Sequence, residues 1–96
     1  MTRLLVSPRA RRNLRRLIET HSLPTTTTDR FRASIQPLAS IPLLGQALSG
    51  RWSGYRYLLG PWRWMIIVYE YHEDQELVAI VTVQDARSEQ APTASR

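Results

Sequence analysis

The sequence contains no cysteine and no lysine, and it has no long apolar run. Without cysteine there can be no disulfide, no thiolate metal site and no cysteine nucleophile. The longest apolar stretch, residues 64–69, is far shorter than the roughly 20 residues that cross a bilayer. The N-terminus becomes polar too early for a signal peptide. We therefore expect a cytoplasmic protein that has no membrane partner and needs no metal and no other cofactor.

All thirteen basic residues are arginine, and they are distributed unevenly along the 96 residues. Residues 1–63 carry eleven arginines and two acids, a net charge of +9, whereas residues 64–96 carry two arginines and six acids, a net charge of −4. This asymmetry favours a polyanion or an acidic protein as a partner of the first part. A basic helix that only faces solvent would explain the same excess, so the charge leaves both interpretations open.

The first part of the chain predicts one strand and two helices. Thr2–Val6 is a short strand, after which Ser7 and Pro8 are typical of an N-cap and a first helical position. Four apolar residues then recur at helical spacing and predict a buried stripe: Ala10, Leu14, Leu17 and Ile18. A second helix begins near Thr28 and ends near Pro37. Its inward residues are Phe31, Ile35 and Leu38.

After a loop through Pro42 and Gly45, with at most one helical turn at residues 43–48, the pattern becomes extended. Residues 55–59, 62–71 and 77–83 predict three strands rich in β-branched and aromatic side chains. The sequence therefore predicts an α+β domain over residues 1–88 in the order β-α-α-β-β-β. Two helices would pack on one face of a small, mainly antiparallel sheet. Residues 89–96 are small and polar, and we expect a disordered tail.

Two arginines, Arg56 and Arg63, lie in the predicted hairpin. A two-residue turn at Gly60-Pro61 would place Arg56 opposite Met65 and would make the two arginines diagonal neighbours, about 7–8 Å apart. Guanidinium groups that close repel each other unless an anion lies between them, so this pairing predicts a phosphate or carboxylate site. Pairing with nearby acids is the alternative. A three-residue turn would put the two arginines on opposite faces.

The position of Arg87, near the end of the last strand, depends on the loop around Glu73-Asp74. A change of one residue in that loop turns every side chain of the strand to the other face. A three-residue loop brings Asp85 and Arg87 to the face of Arg63, and a two-residue loop does not. The sequence leaves this register open.

Three segments in this order resemble the RelE/ParE superfamily of toxins from bacterial type II toxin–antitoxin systems. They are S-P-R-A-R-R-N-L at residues 7–14, G-Y-R-Y-L-L-G-P-W-R-W-M-I-I-V-Y-E-Y at residues 54–71, and V-A-I-V-T-V-Q-D-A-R-S at residues 78–88. Each segment is short and degenerate, but their order, spacing and chain length together are fairly specific. The resemblance covers residues 2–88. It implies a growth-inhibiting toxin that a cognate antitoxin neutralises within a hetero-oligomer.

The resemblance also implies two possible targets. RelE-like members cleave mRNA in the ribosome, where basic residues stabilise the phosphate and a base takes a proton. The matching catalytic candidates are Arg56, Arg63, Asp85 and Arg87. ParE-like members inhibit DNA gyrase and need no acid–base set. Asp85 stands where many members have histidine or a basic residue, and no tyrosine or histidine follows Arg87. These departures leave open whether the chain is an enzyme.

Two further functions fit the same residues: a non-toxic nucleic-acid-binding module, and an inactive member that binds only its antitoxin. Among the aromatic residues near the hairpin, Trp62 is the better candidate for a contact with a partner. Trp64 is expected in the core beneath the helices. We interpret His21, at the end of the first helix, and His72, in a polar turn, as structural or solvent-facing.

Overall fold

A computed structural model describes residues 2–88 and 91–93. In chain order its elements are β1 (Arg3–Val6), α1 (Pro8–Thr20), α2 (Thr27–Ile35), β2 (Gln46–Ala47), β3 (Arg56–Leu59), β4 (Met65–His72) and β5 (Leu77–Asp85). Short 3₁₀ turns cover Gln36–Ala39, Gly50–Trp52 and Glu73–Gln75. The predicted α+β class is confirmed, and the sheet has one more strand than the sequence predicts.

Helix α1 begins where the sequence predicts. The Ser7 side chain accepts a hydrogen bond from the Ala10 N–H at 3.1 Å, which satisfies one of the free donors of the first turn. Pro8 occupies the first helical position, where a missing N–H costs nothing. The helix ends at His21, whose backbone N–H donates to the carbonyl of Leu17. The next residue, Ser22, has a positive φ of 48° that turns the chain away from the helix axis.

The five strands form one mixed sheet in the order β1-β5-β4-β3-β2. β1 pairs with β5 in parallel, and the other three pairings are antiparallel. β4 lies in the middle of the order, and its residues 65–69 are fully buried. This agrees with the apolar character of both faces of that strand, which is typical of a central strand.

Alternate residues of β4 belong to two apolar clusters. Met65, Ile67 and Tyr69 pack in a cluster that also contains buried residues of both helices, namely Ala10, Leu14, Phe31 and Ile35. Ile66 and Val68 form a second cluster with Ala91, which is 6% exposed. The predicted disorder of the tail concerns mainly residues 89–90 and 94–96, which lie outside the described residues, so it stays a prediction. Ala91 itself packs with Ile66 and Val68 in the second apolar cluster.

The connection before β3 and the hairpin register differ from the sequence predictions. Residues 46–47 form an edge strand instead of a helical turn, because they pair with Tyr57 and Arg56 of β3. In the hairpin, Arg56 pairs with Tyr69 and not with Met65. The Gly60 N–H donates to the Met65 carbonyl at 2.8 Å, so residues 61–64 form a four-residue loop. The predicted two-residue turn is therefore wrong, as is the diagonal pairing of Arg56 with Arg63.

Four residues, 73–76, connect β4 to β5, so neither the two-residue nor the three-residue loop is present. Glu76 adopts the left-handed conformation, with φ 49°, as it leaves this connection. A register shift at Val68/Tyr69 changes the pairing again along the same two strands. Its consequence is that Met65 pairs with Asp85 at the end of β5. Within residues 2–88 and 91–93, neither helix has the length and apolarity that a membrane span requires.

Candidate active site

Three segments meet where β4 begins and β5 ends. The backbone ladder continues one bond beyond the strands, since the Ala86 N–H donates to the Trp64 carbonyl at 2.6 Å. This bond holds the hairpin loop beside the chain that leaves β5. The end of α1 reaches the same place through His21. We call the four side chains that touch one another here the Trp64 cluster: His21, Trp64, Asp85 and Arg87.

Asp85 and Arg87 form a two-pronged ion pair within the Trp64 cluster. Arg87 Nε and Nη2 donate to the two carboxylate oxygens at 2.9 and 2.8 Å, and the Arg87 backbone N–H donates to Oδ1 at 2.9 Å. These bonds to Arg87, with a smaller one from His21, lower the pKa of Asp85 from 3.8 to about 2. The same partner raises the pKa of Arg87. Both groups are therefore charged throughout the physiological pH range.

The Trp64 ring contacts two other members of the cluster, His21 and Arg87. The His21 ring stacks on it with centroids 4.5 Å apart and an angle of 17° between the planes. The Arg87 guanidinium carbon lies 4.9 Å from the centroid of the same ring, a cation–π distance. The sequence places Trp64 in the core. The structure places it half-buried at the core's edge, where it packs on the first apolar cluster and also holds two polar side chains.

His21, like Trp64, is a member of the cluster that the sequence does not predict as a site residue. Its Nε2 lies 3.2 Å from Asp85 Oδ2, and its Nδ1 lies 2.9 Å from the hydroxyl oxygen of Thr20. The side chain keeps 29% of its surface exposed. Sixty-four positions separate His21 from Asp85. A histidine at a helix end carries no local signal of such a contact, so only the tertiary fold brings the two together.

Arg63 precedes Trp64 in the four-residue hairpin loop and is exposed. Among the residues that the structure describes, no acid forms an ion pair with it. Its guanidinium is therefore free to meet an external anion. The sequence places Arg63 in a strand and leaves open whether it pairs with an acid; the structure places it in the hairpin loop.

Arg56 has a different environment at the opposite end of the hairpin. Its Nη1 donates to the carbonyl of Gly45 at 2.7 Å and to that of Leu43 at 3.4 Å. The buried Tyr69 hydroxyl joins the same loop, since it donates to the Pro42 carbonyl at 2.8 Å and accepts from the Gly45 N–H at 2.9 Å. Burial raises the pKa of Tyr69, against the opposing effects of that N–H and of Arg56. The donors of Arg56 thus hold the loop before β2.

Trp62 and His72 are the other aromatic and histidine residues considered from sequence, and both contact residues of the same chain. The Arg30 guanidinium lies 4.7 Å from the centroid of a Trp62 ring, and the Trp62 Nε1 is buried without a hydrogen-bond partner. His72 Nε2 contacts a carboxylate oxygen of Glu70 on the same strand. Within residues 2–88 and 91–93, no three His, Asp or Glu side chains come together in a way that could hold a metal ion.

A second feature lies away from the Trp64 cluster, between the two helices. An open groove of about 330 Å³ has an apolar floor and three arginines along it. Its lining residues are Val6, Arg11, Leu14, Arg15, Ile18, Thr28, Phe31 and Arg32. The alternation of apolar and cationic groups suits an acidic amphipathic segment.

Comparisons with known proteins find no protein-family model and no curated protein that matches the sequence. Solved structures do match. A chain of the toxin–antitoxin complex RelBE2 from Mycobacterium tuberculosis superposes with a TM-score of 0.65 at 20% identity, over 88% of this chain and 96% of that one. A chain of the intact RelBE toxin–antitoxin complex of E. coli matches with a TM-score of 0.58 at 16% identity, over 92% of this chain and 100% of that one.

A conserved hypothetical protein from Helicobacter pylori matches with a TM-score of 0.60 at 14% identity, over 88% of this chain and 94% of that one. These matches include nearly the whole length of each compared chain, so the likeness concerns the complete domain and not a shared fragment. At this level of identity the likeness concerns the fold. The fold that the sequence resemblance implies is confirmed: the chain has the RelE-like fold of the RelBE toxin–antitoxin complexes.

Proposed function

We propose that this chain is the toxin of a type II toxin–antitoxin system and that it cleaves mRNA in the ribosome. The observation that carries the proposal is the Trp64 cluster, together with the exposed Arg63 that directly precedes Trp64 in the hairpin loop. The cluster joins an arginine, a carboxylate, an aromatic ring and an imidazole at the end of the sheet where β4 begins and β5 ends. Cations that meet a phosphate and rings that stack on unpaired bases are the usual parts of a single-stranded RNA site.

Arg63 and Arg87 have the role of phosphate binding in this proposal. Arg63 has no ion pair within residues 2–88 and 91–93, so binding an anion costs it no existing partner. Arg87 uses Nε and Nη2 on Asp85, which leaves Nη1 to donate to a phosphate oxygen. Two guanidinium groups stabilise the extra negative charge that a phosphate carries in the transition state.

The roles of Asp85 and Arg56 change from those expected from sequence. A carboxylate with a pKa of about 2 is a weak proton acceptor, because it binds a proton poorly at neutral pH. We therefore assign Asp85 to holding Arg87 and His21 in place. We assign Arg56 to the loop before β2, since its Nη1 donates to two carbonyls there.

The groove between α1 and α2 is the proposed docking place for the antitoxin. A cognate antitoxin that offers an acidic amphipathic segment would bury apolar side chains on Leu14 and Phe31 and pair its acids with Arg11, Arg15 and Arg32. Both compared RelBE structures are complexes of a toxin with an antitoxin. Reversing the charge of the three groove arginines is expected to leave toxicity intact and abolish neutralisation. If such a variant is neutralised normally, the groove is not the docking site.

Inhibition of DNA gyrase is the second candidate function. The ion-paired state of Asp85 favours it, since the carboxylate that the sequence offers as a base is already saturated by Arg87. On this account Arg63 and Trp64 would bind a protein surface, and no proton transfer would be needed.

Induced expression with parallel measurement of new protein and new DNA tests the two candidates. If protein synthesis stops first and mRNA is cut, the chain is an mRNA-cleaving toxin. If DNA synthesis stops first and the cells become filamentous, it is a gyrase inhibitor. If neither changes and growth continues, the chain is not a toxin, and a non-toxic nucleic-acid-binding role is left.

A further inference from the structure

Cleavage of RNA by its own 2′-hydroxyl requires a group that takes the hydroxyl proton, and Asp85 is a poor choice. Its two carboxylate oxygens accept three hydrogen bonds from Arg87 and face His21. A proton acceptor works best when its pKa lies near the operating pH, and that of Asp85 is about 2. The group beside Asp85 with the right chemistry is the imidazole of His21.

The contacts of His21 determine which ring nitrogen is basic. Because the carboxylate of Asp85 is ionised and can only accept, the Nε2 that lies 3.2 Å from it carries the proton. Nδ1 then presents its lone pair on the side of Thr20, 2.9 Å from the hydroxyl oxygen. We propose that His21 is the general base of the reaction, acting through Nδ1; this inference rests on the proposed mRNA cleavage.

The Thr20 hydroxyl can give up its contact with Nδ1, so that a substrate hydroxyl can take its place. It is also 2.9 Å from the carbonyl of Arg16, to which it can donate whenever another donor occupies Nδ1. A ribose 2′-hydroxyl that replaces Thr20 at Nδ1 therefore leaves no hydrogen-bond donor without an acceptor. Both Thr20 and His21 are exposed, so the exchange requires no opening of the core.

The chemical step balances with these groups and water. Nδ1 takes the 2′-hydroxyl proton while the 2′ oxygen attacks the adjacent phosphorus. The bond from phosphorus to the 5′ oxygen of the next nucleotide breaks, and that oxygen leaves with a proton from water. The products are a 2′,3′-cyclic phosphate, a 5′-hydroxyl end, an imidazolium and the hydroxide left by that water, and proton transfer from the imidazolium to the hydroxide restores neutral His21 and water.

The surroundings of His21 suit an imidazole that gains a proton. From β5, the Asp85 carboxylate lies 3.2 Å from Nε2 through Oδ2, and the Arg87 guanidinium pairs with the same oxygen. From the hairpin loop, Trp64 fixes the plane of the ring by stacking. From α1, the neutral Thr20 hydroxyl contacts Nδ1. A carboxylate that orients the imidazole and fixes its tautomer is the same arrangement that activates histidine in other hydrolytic sites.

The test is single-turnover cleavage of a defined mRNA on programmed ribosomes by the wild type and by His21→Gln. Glutamine can donate a hydrogen bond to Asp85 but cannot take a proton at neutral pH. We expect a loss of about 10²- to 10⁴-fold in cleavage rate with unchanged affinity for the ribosome. His72→Gln is the matched control, since His72 also contacts a carboxylate but lies at the far end of β4. We expect it to cleave at the wild-type rate.

The pH dependence of the wild type decides the matter even if His21→Gln folds poorly. General-base catalysis makes the rate fall on the acid side, and this limb should be absent in His21→Gln. A wild type that cleaves at a rate independent of pH between 5 and 8 overturns the inference, as does a His21→Gln variant with full activity. If the wild type cleaves no mRNA at all, the proposed function fails and the inference fails with it.

Discussion

The two ends of the β3–β4 hairpin each carry an arginine, and their surroundings differ. At the strand end, Arg56 donates to the carbonyls of Leu43 and Gly45 within the chain. At the loop end, Arg63 is exposed and has no ion pair among the described residues. This difference shows that the role of an arginine depends on which groups accept hydrogen bonds from its guanidinium. Arg56 stabilises the loop before β2, and Arg63 is available to an external anion.

The largest expected effect is on activity at the loop end. Arg63→Ala should reduce cleavage or toxicity about 10²- to 10³-fold, because one cation is lost from the proposed phosphate site. Its melting temperature should stay at the wild-type value, since an exposed side chain without partners contributes little to stability. Arg51→Ala is the control, since Arg51 is also exposed but lies in the 3₁₀ turn before β3. An Arg63→Ala protein that retains full toxicity would contradict the site assignment.

The next effect is on stability at the strand end. A Cβ at Gly45 would lie 2.6 Å from the Tyr57 carbonyl oxygen and 2.7 Å from a ring carbon of Tyr69. Gly45→Ala should therefore destabilise the fold by about 1–3 kcal/mol, as overpacking of a tight contact does. Urea unfolding measures the change in free energy. Ser49→Ala, at an exposed position of the same connection, should leave the free energy of unfolding nearly unchanged. Equal stability of the two variants would show that Tyr57 and Tyr69 move aside for the added Cβ at little cost.

A smaller loss of stability is expected from Arg56→Ala. The variant leaves the carbonyl of Gly45 without its 2.7 Å donor, at a cost of about 1–2 kcal/mol. Because Arg56 contacts the loop and not the Trp64 cluster, activity per folded molecule should stay at the wild-type level. Cleavage assays at matched folded concentration separate the two effects. A loss of activity as large as that of Arg63→Ala would place Arg56 back in the phosphate site.

The smallest expected effect concerns acid stability at the loop end. Folding lowers the pKa of Asp85 from 3.8 to about 2, chiefly through Arg87. The ionised carboxylate therefore stabilises the fold above pH 4, and this stabilisation is lost as the pH falls from about 4 to about 2. Solvent screening limits it to about 1 kcal/mol or less. Asp85→Asn should lack this part of the pH dependence in urea unfolding, and an unchanged pH profile would contradict the ion pair.

Sequence patterns predict those elements whose structure depends on residues that are close together in the sequence. The start of α1 follows from Ser7 and Pro8, and the centre of β4 follows from a continuous apolar run. The hairpin register does not follow locally. The Gly60–Met65 bond closes a four-residue loop whose length no turn signal at Gly60-Pro61 reveals. The two-residue strand β2 is likewise too short to carry a pattern.

The candidate site shows the same limit. Arg63, Asp85 and Arg87 could be selected from sequence because they lie in the segments that resemble the RelE/ParE superfamily, although the resemblance does not show that Asp85 and Arg87 pair with each other. His21 could not be selected, since its contact with Asp85 depends on how α1 crosses the sheet. Trp64 was expected in the core because it is aromatic, yet its ring carries His21 and Arg87. Tertiary placement, not residue type, defines these two roles.

The most direct test of the account is incubation of the purified chain with a defined mRNA, with and without ribosomes, followed by mapping of the new RNA ends. We expect cuts only on programmed ribosomes, with 5′-hydroxyl ends, made by the wild type and Arg56→Ala and nearly absent with Arg63→Ala. Intact mRNA under every condition, together with inhibited supercoiling when the chain is added to DNA gyrase, would contradict it.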